Sequence, residues 1–346
     1  MATKPPVEVP QGAIRLNTDS QKLEFFAQDQ WWEMANKVAS PIAGRGLMFS
    51  GYIAPASTNI IDYVTIASTG QATDFGDTDR NADYGSGYGN ETRAVYAGGQ
   101  GAPSNTISYV TIATQGNATN FGDLNGGNNA FGLGFSGDST RAVYGGGQIP
   151  GTPNTDTIQY ITMSSTGNAT DFGNLTQGRQ SGQAVSSPTR GCYGGGGKTG
   201  APVAQYDVID YITIQSTGNA VDFGNLANAK RIGNAVCNAV RGVFAGEYDV
   251  NAPYPQTDYM QYITIASKGN ATDFGDLLNT GWDGSGVMSD STRGLIVHGY
   301  TPSPWGYNNT ITYITIATRG NSVDFGDRNS NTSGTAKASN SHGGLG

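Results

Sequence analysis

The most frequent candidate for chemistry is an aspartate before Phe-Gly, which occurs in five repeated segments and is replaced by asparagine in a sixth. These residues are Asp74, Asn120, Asp171, Asp222, Asp273 and Asp324. In a protein kinase the same tripeptide positions magnesium, but that site also needs a glycine-rich loop and a catalytic loop, which this sequence lacks. Six copies at equivalent positions indicate architecture, because Asp and Asn can both accept backbone N–H bonds at a turn.

The sequence contains few groups of residues that could bind a metal ion or act in catalysis. Acid pairs such as Asp273 and Asp276 suggest calcium, but asparagine (Asn174, Asn225) replaces the second acid in two copies, and calcium needs six to eight oxygen ligands. Two histidines and two cysteines are too few for a multi-histidine copper or zinc centre or a cysteine zinc site. We therefore expect no metal, no cofactor and no catalytic residue, while an acidic pair for glycoside hydrolysis stays open.

A second repeated residue is an arginine that begins a short apolar run. Its six copies are Arg45, Arg93, Arg141, Arg190, Arg241 and Arg293. A buried arginine left without a partner costs about 3–5 kcal/mol. We therefore expect these guanidinium groups to pair with buried carbonyls or with the repeated aspartates. The alternative is a ring of cations that binds a polyanion.

Aromatic residues that do not repeat are concentrated in and near the loop between the second and third strands of each unit. Six of them predict a binding surface: Tyr248, Tyr254, Trp282, Tyr300, Trp305 and Tyr307. Aromatic faces suit the apolar side of a sugar ring, and Tyr and Trp are favoured anchors in protein interfaces. Packing of these loops onto their own scaffold is an equally good interpretation of the sequence.

All of these residues belong to, or lie between, copies of a repeat that covers almost the whole chain. A segment close to Tyr-Ile-Thr-Ile-x-Ser-x-Gly-Asn-Ala-x-Asp-Phe-Gly begins at Tyr63, Tyr109, Tyr160, Tyr211, Tyr262 and Tyr313. In the third copy, the residue pattern predicts strands at 130–136, 141–146, 158–163 and 169–173. Four strands in a period of about 50 residues are typical of propeller blades, and kelch blades have this period.

The fold class that follows is all-β, a six-bladed kelch-like β-propeller over residues 41–346. The first copy lacks a glycine-rich first strand, and residues 331–340, after the sixth copy, align with one. We therefore expect a C-terminal strand to complete the first blade and remove the open edges of the ring. The 52 glycines among 346 residues fit tight turns and the crowded strand nearest the axis.

Composition argues against several classes of partner. The net charge is −8 and no run of Lys or Arg occurs, whereas a nucleic-acid interface needs a basic face. No apolar stretch approaches the roughly 18 residues of a membrane span, and the first ten residues lack the apolar core of a secretory signal. We expect no nucleic acid, no membrane insertion and no signal peptide.

Residues 1–40 lie outside the repeat and predict a small β-hairpin arm. The arm carries four aromatic residues, Phe25, Phe26, Trp31 and Trp32. A segment of this size buries little surface by itself, so we expect these side chains to dock a partner protein. The alternative is that they pack against the side of the propeller.

The arm also resembles a known module. The pattern Gly-x-Ile-Arg-x-Asn-Thr-Asp-x-x-x-Leu-Glu-Phe, followed by Trp, resembles a short module of tailed-bacteriophage structural proteins over residues 11–34. The glycine-rich repeats that end in Asp-Phe-Gly-Asp-Leu are similar to those of cyanophage virion proteins.

The resemblance implies a non-enzymatic virion protein of a tail, fibre or capsid. Such a protein is made in the host cytoplasm, docks through its arm to other virion proteins, and can form a homo-oligomer in the virion. Its propeller would then bind a protein or a host-surface glycan. The alternatives are a bacterial carbohydrate-binding or adhesion propeller and a propeller glycoside hydrolase.

Overall fold

A computed structural model of the chain describes residues 9–17, 22–33, 44–101, 103–126, 131–148, 154–200, 202–251, 256–302 and 305–345. Within these ranges the chain is almost entirely β, with one 3₁₀ turn at Gly343–Leu345, so the predicted all-β class is confirmed. Within the same ranges, no helix has both the length and the hydrophobicity that a membrane span requires. Contacts divide the chain into two compact units, Met1–Pro41 and Ile42–Gly346.

The first unit contains a three-stranded antiparallel sheet with the order β1-β2-β3. The strands are β1 (Ile14–Asn17), β2 (Lys22–Ala27) and β3 (Gln30–Glu33). The connection from β1 to β2, where the sequence predicts a polar turn, lies outside the described residues. The predicted hairpin is thus extended by a third strand, which carries both tryptophans of the arm.

The second unit contains six four-stranded antiparallel sheets within the described ranges, named sheets I to VI in chain order. Sheet I contains β4 (Arg45–Ile53), β5 (Ala56–Thr65) and β6 (Thr73–Ala82), and its fourth strand comes from the end of the chain. Sheet II contains β7 (Ser86–Gly89), β8 (Arg93–Ala97), β9 (Thr106–Thr111) and β10 (Thr119–Asp123). Sheet III contains β11 (Phe135–Gly137), β12 (Arg141–Gly145), β13 (Thr157–Thr162) and β14 (Thr170–Asn174). In the third repeat, β12, β13 and β14 agree with the predicted strands to within one residue at each end, whereas β11 begins only at Phe135, so the predicted first strand at 130–136 was too long at its start.

Sheets IV to VI follow the same plan with two local differences. Sheet IV contains β15 (Gln183–Ser186), β16 (Arg190–Gly194), β19 (Val208–Thr213) and β20 (Val221–Asn225). Sheet V contains β21 (Arg231–Cys237), β22 (Arg241–Tyr248), β23 (Gln256–Thr264) and β24 (Thr272–Asp276). Sheet VI contains β25 (Arg293–Val297), β26 (Tyr300–Pro302), β27 (Trp305–Thr315) and β28 (Val323–Thr332). A two-stranded ribbon, β17 (Gly197–Lys198) and β18 (Ala204–Gln205), extends the loop after β16. In the sixth repeat the expected first strand makes only isolated bridges, and Gly286 there has a φ of +129°, outside the strand region.

The last strand of the chain, β29 (Ala336–Ser339), pairs with β4, the first strand of the second unit. Sheet I therefore has the order β29-β4-β5-β6 and joins both ends of the repeat region. The predicted pairing of the C-terminal strand with the first repeat is confirmed. Glycine is required beside β29, because a Cβ on Gly87 would overlap the backbone of Lys337.

Six apolar clusters of described residues hold the sheets together, and each takes its side chains mainly from two consecutive sheets. The cluster between sheets V and VI, for example, contains Val243 and Ile296. Another cluster joins sheet VI back to sheet I, through Leu295 and Val64 among others. Successive side chains of a strand enter different clusters, as Val143 and Tyr144 do, so both faces of a sheet are buried against its neighbours. This burial explains why only 13% of the residues are charged.

The repeated arginines link each sheet to the next one. Each guanidinium donates a hydrogen bond of 2.7 to 3.3 Å to a backbone carbonyl of the following sheet: Arg45–Ile112, Arg93–Met163, Arg141–Ile214, Arg190–Ile265, Arg241–Ile316 and Arg293–Ile66. It also lies 4.3 to 4.9 Å from the ring centre of the repeated tyrosine in its own sheet. Of the two predicted partners, the carbonyl is therefore the correct one.

The repeated aspartates are exposed at all of their positions. In five of the six repeats, the backbone-capping role that we expected of them is held by the asparagine after the hairpin glycine, which is replaced by Gln71 in the first repeat. Asn117 Oδ1, for example, accepts a hydrogen bond of 3.0 Å from the Asp77 N–H of the preceding sheet. The same bond recurs at Asn168, Asn219, Asn270 and Asn321.

Candidate functional site

The second unit contains a cavity of about 320 Å³ that is lined almost entirely by aromatic side chains, and we call it the aromatic pocket. Its lining residues are Tyr84, Phe131, Arg231, Tyr248, Trp282, Tyr300 and Tyr307. Four of the six aromatic residues singled out from the sequence are among them. Tyr254 lies outside the described residues, and only the backbone of Trp305, at the start of β27, is described.

Strand register brings distant parts of the chain to this pocket. Arg231 and Tyr248 are opposite each other in β21 and β22, and Tyr300 is opposite Tyr307 in β26 and β27. Trp282 and Tyr300 exchange two backbone hydrogen bonds, of 3.1 and 2.8 Å. The pocket is therefore built on paired strands, which fix the positions of its side chains.

Tyr84 and Phe131 line the pocket but were not found by the sequence analysis. Both precede the first strand of a repeat and have a φ of +53°, which is an outlier for a bulky residue. Such conformations cost about 1–3 kcal/mol and persist only where surrounding structure enforces them, often at functional sites. The one available signal was that each is followed by glycine, where a Cβ would overlap a buried tyrosine ring.

The aromatic rings surround the cavity without filling it. Ring centres are separated by 4.7 Å for Tyr84 and Phe131, 5.4 Å for Tyr84 and Trp282, and 5.8 Å for Trp282 and Tyr248. Tyr307 adds contacts with Tyr300 at 6.2 Å and, outside the lining, with Tyr52 at 5.5 Å. All seven lining residues are half-buried, so their remaining surface is accessible to a ligand.

Polar atoms in the lining are mostly hydrogen-bond donors. Within the described ranges, Trp282 Nε1 and Arg231 Nε are buried and have no hydrogen-bond acceptor. Burial raises the pKa of Tyr84 to about 12 and also raises the pKa values of Tyr300 and Tyr307. These three hydroxyl groups therefore keep their protons at neutral pH, and that of Tyr84 is hydrogen-bonded to Ser333.

A layer of buried polar groups lies against the pocket. A smaller cavity shares Tyr84, Phe131 and Trp282 with the aromatic pocket and is also lined by Asp283. Asp283 Oδ2 is 3.6 Å from the ammonium nitrogen of Lys337, which donates a hydrogen bond of 2.6 Å to Asn234 Oδ1. Burial raises the pKa of Asp283 and lowers that of Lys337 to about 8. The positive charge of Lys337 compensates the negative charge of Asp283, so the pair has little net charge.

The histidines lie elsewhere. His298 and His342 are fully buried and do not line the aromatic pocket. His298 Nε2 is 2.8 Å from Thr312 Oγ1, and burial lowers the pKa of each imidazole to about 4. In the part of the chain that the structure describes, no three His, Cys, Asp or Glu side chains are grouped as metal ligands. The lining of the pocket offers stacking surface, donors and one cation.

The four aromatic residues predicted to dock a partner are separated onto two faces of the arm sheet. Phe25 and Trp32 share one face with the aliphatic side chains of Ile14, Leu16 and Leu23, and this set is called the apolar arm face. Its members are 37% to 64% exposed.

Phe26 and Trp31 lie on the opposite face of the arm sheet, with ring centres 5.3 Å apart. The Arg15 guanidinium lies 4.1 Å from the centre of the Trp31 ring and forms an ion pair of 2.8 Å with Glu24. These two aromatic residues therefore pack within the arm, whereas Phe25 and Trp32 present their surface to solvent.

Comparison with protein-family models and with curated proteins finds no match to this chain. The functional inference therefore depends on the aromatic pocket and the apolar arm face. Fold alone does not determine function, because one fold supports many kinds of site.

Proposed function

We propose that the chain is a carbohydrate-binding virion protein, a six-bladed kelch-like β-propeller that binds a saccharide in its aromatic pocket and docks through its arm. The observation that carries this proposal is the pocket itself. It is concave, its volume is near the lower end of the 300–1,000 Å³ that is typical of small-ligand sites, and its walls are aromatic.

The propeller part of the proposal is supported by the cyclic order of contacts between sheets. Each sheet donates the same arginine hydrogen bond to the next, and sheet VI donates it to sheet I. The first strands of several repeats are also linked by parallel bridges, such as Ser86–Ser285 and Gly286–Lys337, as expected for strands that surround an axis. Pairing of β29 with β4 would then close the ring within one blade.

The saccharide is supported by the combination of ring faces and donors. The apolar face of a sugar ring packs against Trp282 and Tyr248, while sugar hydroxyl oxygens accept hydrogen bonds from the hydroxyl groups of Tyr248 and Tyr307. The pocket is therefore suited to a ligand that has an apolar face and many acceptors.

The virion part of the proposal is supported by the apolar arm face and by the resemblance of the arm to phage structural modules. Five exposed apolar side chains on one sheet face form a surface that a protein partner can cover. An arm that docks to a tail, fibre or capsid protein leaves the propeller free to contact a host-surface glycan.

A glycan array tests saccharide binding. We expect the full chain to bind at least one class of saccharide, and Trp282→Ala to weaken that binding at least tenfold. Trp32→Ala is the matched control, because it removes an exposed tryptophan of the arm and should leave binding unchanged. If Trp282→Ala lowers the melting temperature, Tyr248→Ala provides a second test. Absence of binding by the full chain, or equal binding by both tryptophan variants, contradicts the proposal.

Mass spectrometry of purified virus particles tests the location. We expect peptides of the chain in particles at a constant ratio to the tail, fibre or capsid protein that it docks to. Recovery of the chain only in bacterial envelope fractions would contradict this and favour a bacterial adhesion protein.

A further inference from the structure

Arg231 carries the only positive charge among the described residues that line the aromatic pocket, and none of them is acidic. It is the first residue of β21 and is half-buried beside Tyr248. Its Nε is buried without an acceptor. Within the described ranges, no carboxylate is close enough to form an ion pair with its guanidinium.

Within the described ranges, the other buried cations of the second unit all have a carboxylate partner. The ion pairs are Arg80–Asp79 at 3.2 Å, Arg179–Asp210 at 2.9 Å, Arg328–Asp62 at 3.5 Å and Lys337–Asp283 at 3.6 Å. The repeated arginines have carbonyl partners and tyrosine rings. The fold therefore pairs its cations wherever they support structure, and Arg231 departs from that rule at the wall of the pocket.

The charge of Arg231 is available to a ligand. Burial lowers the pKa of its guanidinium, but arginine remains protonated in proteins because its intrinsic pKa is so high. Four acids are next to lining residues in the sequence without lining the pocket: Asp83, Glu247, Asp249 and Asp283. Asp283 is opposed by Lys337, and Asp249 forms an ion pair with Lys230. Glu247 and Asp83 are 2% and 4% exposed, and burial raises the pKa of Asp83 to about 6. None of the four therefore presents a free, exposed carboxylate that would repel an anion at Arg231.

We infer that the aromatic pocket selects a carboxylated sugar, a hexuronic acid unit whose carboxylate pairs with Arg231, and this inference rests on the saccharide function proposed above. The planar guanidinium can hold both carboxylate oxygens through two parallel N–H···O bonds. The sugar ring then lies against Trp282 and Tyr248. Because the chain has a net charge of −8, attraction of an anion depends on this local contact and receives no help from the overall field.

Titration of matched saccharides tests the inference. The panel consists of glucuronic, galacturonic and mannuronic acid oligosaccharides, each compared with its methyl ester, which keeps the stereochemistry and removes the charge. We expect the full chain to bind at least one acid at least tenfold more tightly than its ester. Arg231→Gln should abolish this difference while retaining binding of the ester. Arg319→Gln is the charge-matched control, because Arg319 is an exposed residue of a hairpin, and it should preserve the difference.

The outcomes separate the inference from the function on which it rests. Equal affinity for acid and ester in the full chain, or a preference that survives in Arg231→Gln, overturns the role of Arg231 and leaves saccharide binding intact. Arg231-dependent binding of sulfated sugars or acidic peptides, with no binding of uronic acids, overturns the assignment to a carboxylated sugar. Failure of every acid, ester and neutral saccharide to bind overturns the proposed function as well.

The thermal stability of Arg231→Gln gives an independent readout. Since Arg231 has no protein partner within the described ranges, its replacement should leave the melting temperature unchanged or raise it. A fall of more than a few degrees would show that the guanidinium supports the fold and would contradict its assignment as a ligand-binding group.

Discussion

The apolar arm face and the aromatic pocket are both rich in aromatic side chains, but they differ in shape and in polarity. The arm face is one side of a three-stranded sheet, with exposed apolar side chains such as Ile14 and Trp32. The pocket is concave, and its half-buried aromatic rings are accompanied by the Arg231 guanidinium. The difference indicates that aromatic content alone does not define a binding site, because shape and donors determine the ligand class.

The two surfaces also differ in what holds them in place. The pocket side chains are fixed by six mutually packed sheets, and Tyr84 and Phe131 are held at positive φ by that framework. The arm face depends on one small sheet, stabilised on its other side by Arg15, Glu24 and Trp31. A preformed pocket suits discrimination between small ligands, whereas a sheet face suits a partner that supplies a large covering surface.

The largest effect is expected from removing the C-terminal strand. Deletion of residues 330–346 removes β29 and Lys337, which leaves Asp283 buried without its cation. We expect the free energy of unfolding to fall by more than about 4 kcal/mol, with loss of saccharide binding. Thermal unfolding followed by circular dichroism measures this. Arg319→Gln, which removes an exposed ion pair, should change stability by less than about 1 kcal/mol. An unchanged melting curve for the deletion would refute closure of the ring by β29.

A smaller effect, confined to docking, is expected from a charge on the arm face. Phe25→Asp places a carboxylate among Ile14, Leu23 and Trp32, so covering this face would bury an unpaired charge. We expect incorporation into virus particles to fall at least tenfold, as measured by immunoblot of purified particles, while saccharide binding stays unchanged. Gln28→Asp, at the exposed turn after β2, is the matched control and should be incorporated normally. Equal incorporation of the two variants would show that this face does not dock.

The smallest expected effect is the contribution of one buried histidine to acid sensitivity. The His342 Nε2–H donates to Gly89 O at 2.7 Å, and its Nδ1 accepts from Gly344 N at 3.1 Å, which requires a neutral ring. Burial lowers its pKa from about 6.5 to about 4, so protons bind the unfolded chain first as pH falls. Its stabilising contribution is complete above pH 6.5 and decreases as pH falls towards 4, by about 2 kcal/mol between pH 7.5 and 5.0.

His342→Gln should therefore lose less stability than the unsubstituted chain over that pH interval. Urea unfolding at pH 7.5 and 5.0 measures the difference. Asp83 acts in the opposite direction, because burial raises its pKa to about 6 and protonation then favours the folded state, but this contribution is common to both proteins. The same pH dependence in both proteins would contradict the account of a buried neutral imidazole.

Much of the fold could be predicted because the same strand and turn pattern occurs in all six copies of the repeat. Alternating residues gave strands such as β13, and the unmatched C-terminal segment predicted the pairing of β29 with β4. The first strand of the sixth repeat was harder to predict. Gly284 and Gly286 have no side chains, so the sequence there does not show whether the segment pairs as a regular strand or only through isolated bridges.

The site was predicted in part, for reasons that differ between the two units. Loop divergence identified Tyr248 and Tyr300, since residues outside the repeat stand out in sequence. Tyr84 and Arg231 were missed because their positions depend on a positive φ and on cross-strand register, which residue type does not reveal. In the arm, the assignment of Phe25 and Phe26 to one surface overlooked that neighbours in a strand point to opposite faces.

The indole N–H signals of the four tryptophans test most directly whether the saccharide binds in the aromatic pocket and leaves the arm free. A ¹H–¹⁵N spectrum of the full chain, assigned by single Trp→Phe substitutions, is recorded while a saccharide identified on the array is added. The Trp282 Nε1–H signal should shift strongly as a sugar ring packs against the indole in the pocket, while the Trp31 and Trp32 signals stay fixed. Shifts at Trp31 and Trp32 with Trp282 unmoved would contradict the assignment of the two surfaces.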